Sequence, residues 1–75
     1  MLLREFKVDD HTIMLTQDEH TYIAQVMNQG GEKVFYHEYT DYDKIKVCFD
    51  EIVKSIQEDS AAISNIMNIL EKSTL

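Results

Sequence analysis

The sequence has one cysteine and no run of eighteen apolar residues. A single cysteine cannot form a disulfide within the chain, and a thiol beside Phe49 is typical of a buried, structural Cys48. The lack of a long apolar run excludes a transmembrane helix. Residues 1–5 also lack the basic region and apolar run of a secretory signal. We therefore expect a cytoplasmic protein in a reducing compartment, with no membrane partner.

Basic residues are scarce: seven Lys and Arg stand against fourteen Asp and Glu, a formal net charge of −7. Residues 1–43 carry nine acids and three bases, whereas residues 44–75 carry five acids and four bases. Direct binding to nucleic acid is disfavoured, because phosphate contacts need clustered Lys and Arg. The charge favours a partner protein with a basic surface. The alternative is that the charge serves solubility alone.

Motifs of catalysis are missing. The chain has no Gly-x-Ser-x-Gly, no phosphate-cradling glycine loop and no His-Glu-x-x-His, and so small a domain rarely encloses a pocket that excludes water. His11, His20 and His37 each adjoin an acid, but no spacing typical of metal ligands accompanies them, so we interpret them as solvated residues. We expect no enzymatic activity, no cofactor and no metal site.

The longest periodic stretch of the chain is free of Gly and Pro and runs from residue 40 to about residue 70. Ile45, Phe49, Ile52 and Ile56 repeat at helical spacing, and Val47, Cys48 and Val53 widen the stripe. Thr40 is the expected N-cap of a helix over residues 41–58.

A second helical segment over residues 60–72 is expected, with Ser60 as its cap. It is either separate, which we favour, or continuous with the first helix. A continuous helix of about 50 Å would overhang a compact domain and predicts a homodimer through residues 60–72.

The region before residue 40 predicts a sheet. Strands are expected at residues 2–8, 12–16, 21–27 and 34–39, with turns at Asp9-Asp10, at residues 17–19 and at residues 28–31. Leu2, Phe6 and Val8 are expected to share one face. The fold class is therefore α+β: one domain over residues 1–75, an antiparallel meander of three or four strands covered on one face by a helix, plus the C-terminal helical segment. Neither face of the last hairpin is cleanly polar, so we expect part of the outer face to be covered or used for binding.

Aromatic and acidic residues alternate where the last strand meets the helix. We interpret them as a partner-binding surface, since aromatic residues are enriched at interface centres. The alternative is that two of the tyrosines pack in the core and one caps it. The candidate residues are Tyr36, Glu38, Tyr39, Asp41, Tyr42 and Asp43.

The order of strand, acidic turn, strand, Asn/Gly hairpin, strand and acidic-capped helix resembles small acidic phage-encoded inhibitors, in particular the type II-A anti-CRISPR proteins. The resemblance covers about residues 4–57 and is carried by Arg4-Glu5-Phe6-Lys7, His11-Thr12-Ile13-Met14-Leu15, Asn28-Gln29-Gly30-Gly31-Glu32 and the helix over residues 45–56. It implies that Asn28, Gly30, Gly31 and Glu32 form a loop that enters a partner's cleft. That family blocks an RNA-guided nuclease by imitating DNA charge with a dense acidic run near the C-terminus. Residues 60–75 contain only Glu71, so blocking of a DNA-reading site does not carry over.

We therefore expect a small, non-catalytic protein that binds and inhibits a larger host protein, encoded by a phage or mobile element as counter-defence. A second hypothesis is a homo-oligomer that holds a signalling nucleotide between subunits, with Arg4, Lys7, Lys33 or Lys44 on its phosphates. A third is a structural subunit without a binding role of its own.

Overall fold

The computed structural model describes residues 1–59 and 62–75, and four strands precede two helices in it. The strands are β1 (Leu2–Val8), β2 (His11–Asp18), β3 (Thr21–Met27) and β4 (Lys33–Tyr39), and the helices are α1 (Tyr42–Gln57) and α2 (Ile63–Lys72). The strands form one antiparallel sheet in the order β1-β2-β3-β4. The predicted α+β meander is confirmed. No helix in the described part of the chain has the length and apolar character needed to cross a bilayer.

Tight turns join the strands, and their residues adopt positive φ where the chain reverses. Asp9 and Asp10 form the turn predicted between β1 and β2, and they have φ of 50° and 61°. In the turn between β3 and β4, Gly31 has φ of 83°. The second turn differs from its prediction at residues 17–19. The turn is formed by Glu19 and His20 instead, because β2 remains paired with β3 up to Asp18, which lies opposite Thr21.

The start of β1 corrects one prediction about its faces. The pairing register shifts between Leu2 and Arg4, so that Leu2 pairs with Thr16 on the outer face and is 53% exposed. Leu3 packs against the core instead. An extra residue in a strand reverses the alternation of the side chains before it, so Leu2 does not share a face with Phe6.

The cap of α1 also differs from the prediction. Asp41, not Thr40, is the N-cap: its backbone is extended and its carboxylate accepts a 3.0 Å hydrogen bond from Asp43 N. Tyr39 is still paired with Tyr22, so the chain uses residues 40 and 41 to leave the sheet. The residue that ends this crossing therefore takes the capping position.

The two helical segments are separate, as favoured from the sequence. The Glu58 N–H donates to the carbonyl of Lys54, and Asp59 turns out of the helix with φ of 58°. The predicted cap Ser60 lies outside the described residues. The N-cap position of α2 is Ala62, which makes no side-chain cap bond; the Asp9 carboxylate accepts a 3.0 Å hydrogen bond from Ile63 N instead. The turn between β1 and β2 thereby fixes the start of α2.

Both helices pack on one face of the sheet. Phe49 lies at the centre, with its ring centroid 6.5 Å from that of Phe6. The buried residues are Ile13, Leu15, Ala24, Val26 and Tyr39 from the sheet, Ile45, Cys48, Phe49 and Ile52 from α1, and Ile66 and Leu70 from α2. Val47 was expected to widen the buried stripe of α1, but it is 59% exposed, because its side of the helix lies beyond the reach of the sheet.

Candidate interaction surfaces

Five carboxylates lie at one end of the molecule, which we call the acidic end. The meander brings the end of β2, the turn after it, the end of β4 and the start of α1 to this side. All five residues are exposed. They are Asp18, Glu19, Glu38, Asp41 and Asp43. Of these, Asp18 and Glu19 were not among the candidates from the sequence, although antiparallel pairing of the predicted strands would have placed them here.

Two of these carboxylates also have a structural role. Asp41 caps α1, and Asp43 lies in its first turn. Negative charge is stabilised there, because the first turn carries unpaired N–H groups and the positive end of the helix dipole. The stability of α1 alone therefore explains why acids occupy positions 41 and 43, whereas it does not explain the acids at positions 19 and 38.

The three candidate tyrosines do not form one cluster. Tyr36 lies on the outer face of β4, Tyr42 lies on the first turn of α1, and Tyr39 is in the core with 4% of its surface exposed. The Tyr39 hydroxyl is 2.5 Å from Ser73 Oγ. Burial raises the pKa of Tyr39, and the hydrogen bond with Ser73 partly offsets that rise. Tyr39 is therefore not available at the surface.

Tyr36 and Tyr42 are each about half exposed, at 47% and 46%. The ring of Tyr42 packs at 5.1 Å on that of Tyr22, which holds it beside Asp41 and Asp43. Desolvation, followed by the negative charges of Glu38 and Asp18, raises the pKa of Tyr36. Tyr36 therefore stays a neutral hydrogen-bonding group at physiological pH.

The hairpin loop that the resemblance implicates lies at the opposite end of the sheet. Asn28 closes it: its N–H donates to the carbonyl of Glu32, and its Oδ1 accepts from Glu32 N, each at 2.9 Å. Gly31 needs its positive φ, whereas Gly30 does not. Strands of seven residues separate this loop from the acidic end by roughly 20 Å. The candidate binding residues thus fall into two regions that no single small contact would cover.

The outer face of the sheet is a third surface. The register places on it Thr12, Met14, Thr16 and Asp18 of β2, Ile23, Gln25 and Met27 of β3, and Val34, Tyr36 and Glu38 of β4, with Leu2, Glu5 and Lys7 of β1. Among residues 1–59 and 62–75, both helices pack on the other face. The alternation in β3 and β4 was readable from the sequence. The position of Leu2 was not, because it depends on the bulge.

A groove of about 390 Å³ runs between the two helices. Val47, Cys48 and Ile69 line it, with Lys44 and Lys72 among its polar residues. Burial raises the pKa of the Cys48 thiol, so this thiol is protonated and unreactive at neutral pH. The expectation of a structural cysteine agrees with this environment.

The basic residues named for phosphate binding are dispersed. Lys7 and Lys33 lie at the loop end of the outer face, and Lys33 Nζ sits 4.7 Å from the centroid of the Tyr36 ring. Arg4 pairs with Leu15 on the other face, and Lys44 lies on α1. The described residues contain no group of three or more His, Cys, Asp or Glu that could hold a metal ion.

The predicted homodimer through residues 60–72 stays a prediction. Ile66 and Leu70 are fully buried in the core of their own chain. No protein family, curated protein or solved structure matches this chain.

Proposed function

We propose that this chain is a small, acidic, non-catalytic protein that binds a larger protein with a basic surface and inhibits it. The observation that carries the proposal is the acidic end, where five exposed carboxylates from separate segments lie beside the half-exposed Tyr42. The resemblance to acidic phage-encoded inhibitors supports a role in counter-defence within the cytoplasm of a host cell.

The first step of binding is electrostatic. Carboxylates gathered at one end give the molecule a directional negative field, which raises the rate of encounter with a basic surface by roughly 10- to 1,000-fold at low salt. Lys44 is the lysine nearest in sequence to this end, and its ammonium donates to the Leu75 carbonyl at 3.1 Å. Lys44 lines a shallow pocket with Glu38 and Asp41, but the five carboxylates outnumber its one positive charge, so the acidic end stays negative.

The second step is contact through Tyr42. Its ring rests on Tyr22, so little side-chain freedom is lost when a partner covers it. A rigid aromatic side chain surrounded by charges is typical of the centre of a protein interface. The neighbouring Asp41 and Asp43 would then pair with basic side chains around this anchor.

Two matched triple variants test the proposal. Each removes three of the negative charges that make up the net −7. The first, at the acidic end, carries Glu19→Gln, Asp41→Asn and Asp43→Asn. The control carries Glu51→Gln, Glu58→Gln and Asp59→Asn. Asn at position 41 still caps a helix, and Asn at position 59 tolerates the positive φ, so both variants are expected to fold.

The wild-type chain and both variants are immobilised and exposed to extract of the host. Proteins retained by the wild type and the control, but not by the acidic-end variant, are purified and titrated with the chain in an assay of their own activity. We expect stoichiometric inhibition, with an association rate that falls at least about tenfold between about 50 and about 500 mM salt. Equal retention by all three chains, or an association rate that ignores salt, would contradict the proposal.

A further inference from the structure

The outer face of the sheet carries six apolar side chains that no helix in the described chain covers, and polar residues separate them, with Gln25 at the middle of the face. Ile23 and Met27 are two of the three central outer residues of β3, and Met14 lies beside them on β2. Toward the edges follow Leu2, Val34 and Tyr36, all more than 40% exposed. The face of an antiparallel sheet that meets water is ordinarily polar. Six apolar side chains on one uncovered face, three of them more than 40% exposed, indicate an interaction surface.

The charges on this face are separated along the strands. Asp18 and Glu38 lie at the end where β2 and β4 finish, whereas Lys7 and Lys33 lie at the other end. The contact between Lys33 Nζ and the Tyr36 ring confirms that Lys33 is on the outer side. The face thus has an acidic end and a basic end, and the row between them holds Glu5, Met14, Gln25 and Tyr36.

We propose that a second copy of this chain covers the outer face, sheet against sheet, with its strands reversed end for end. A two-fold axis across the strands lays each strand over its own counterpart, so Glu38 of one copy lies opposite Lys33 of the other and this contact forms twice. Asp18 on β2 then lies one strand away from Lys7 of the other copy on β1. The residues of the middle row then meet their own counterparts: Met14 and Tyr36 supply apolar contacts, whereas Glu5 on the edge strand β1 faces Glu5 of the other copy, which weakens the association. This self-complementary arrangement is the kind of interface that a symmetric dimer requires, and two sheets packed in this way lie about 10 Å apart.

The area available makes this a weak dimer. Four strands about 4.8 Å apart and seven residues long at about 3.3 Å each offer a flat area of roughly 450 Å² per copy, and side-chain relief adds to it. Stable dimers bury about 800 Å² per partner. Loop acids also flank the basic end, among them Asp10 and Glu32. We therefore place the dissociation constant in the range of about 10 µM to about 1 mM.

The dimer overlaps the acidic end only in part. It covers Asp18 and Glu38, two of the five carboxylates, and Tyr36, but it leaves Asp41, Tyr42 and Asp43 at the surface, because they lie on the helix side. Each end of the dimer would present one copy of this group. Ile23→Lys changes no carboxylate of the acidic end, so loss of the dimer in that variant tests this inference alone, whereas loss of binding to a basic protein in the acidic-end triple variant tests the other.

Sedimentation equilibrium over about 10 µM to about 1 mM tests the dimer. We expect Ile23→Lys to weaken association by roughly 100-fold or more, because it places an unpaired charge in the centre of the interface twice. The control is Val47→Lys on the exposed side of α1, which should leave association unchanged. Circular dichroism confirms that each variant is folded. A wild-type chain that stays monomeric throughout, or equal weakening by both variants, would overturn the proposal.

Two charge-reversed variants test the alignment. One carries Lys7→Glu and Lys33→Glu, and the other carries Asp18→Lys and Glu38→Lys. Each alone should associate at least about tenfold more weakly than the wild type, and their equimolar mixture should form a heterodimer. Wild-type association should also weaken with added salt. Association that strengthens with salt would mean that like ends meet, and it would refute the end-for-end arrangement.

Discussion

Truncation of Ile52 to alanine should remove a large part of the stability of this domain. Ile52 is fully buried between α1 and the sheet, and truncation of such a residue costs about 2–5 kcal/mol, from lost burial and from the cavity left behind. A chain of 75 residues has a total stability of about 4–11 kcal/mol. Ile52→Ala should therefore lower the midpoint of thermal unfolding by at least about 8 °C.

The matched control is Val47→Ala, five residues earlier on the same helix. Val47 is 59% exposed, so little burial is lost, and alanine is the better helix former. We expect a change within about 0.5 kcal/mol. Because the chain has no tryptophan, urea unfolding is followed by circular dichroism at the helix band. The packing of α1 on the sheet would be refuted if Val47→Ala lowered the free energy of unfolding as much as Ile52→Ala does. It would also be refuted if Ile52→Ala lowered it by less than about 1 kcal/mol.

Two further predictions concern single contacts. Asp9→Ala and Asp10→Ala both place alanine at positive φ, but only the first removes the acceptor of the Ile63 N–H. Asp9→Ala should therefore destabilise by about 1 kcal/mol more in urea unfolding, and equal losses would exclude the cap. Tyr39 has a raised pKa because it is buried, so an unfolded tyrosine ionises near pH 10.0 while the folded one stays neutral. The free energy of unfolding should therefore decrease as pH rises above this value, and it should decrease less steeply in Tyr39→Phe. The same decrease in both proteins would contradict the burial of a neutral Tyr39.

Local patterns predicted most of the fold. Alternation of apolar residues gave β3 and β4 with the correct faces, because these strands pair without interruption except near the Asn28 loop. Helical spacing gave the buried residues Ile45, Phe49 and Ile52. Such predictions succeed where the spacing of apolar residues in a single element reflects its packing against one apolar layer.

The failures depended on contacts between elements. Leu2 changed faces because β1 bulges against β2. The cap moved from Thr40 to Asp41 because pairing with β3 holds β4 as far as Tyr39. Asp9 caps α2 from more than fifty positions away, and no local signal indicates such a partner.

The candidate binding surface was predictable only in part. The acids of the β4–α1 connection were found because they are adjacent in sequence. The tyrosines beside them were grouped for the same reason, but alternation along β4 sends Tyr36 and Tyr39 to opposite faces. The separation of Asp18 and Glu38 from Lys7 and Lys33 along the outer face required the register of all four strands.

The central claim is that the helices cover one face of the sheet and leave the other open, and thiol labelling tests it most directly. Gln25→Cys adds a thiol to the middle of the outer face, while the native Cys48, a residue of α1, lies buried against α2. At about 1 µM, below the range of the dimer, we expect one thiol per chain to react within about tenfold of the rate of free cysteine. The second should react at least about 100-fold more slowly, at the rate of unfolding. Equal rates for the two thiols, or faster labelling of Cys48, would contradict the account.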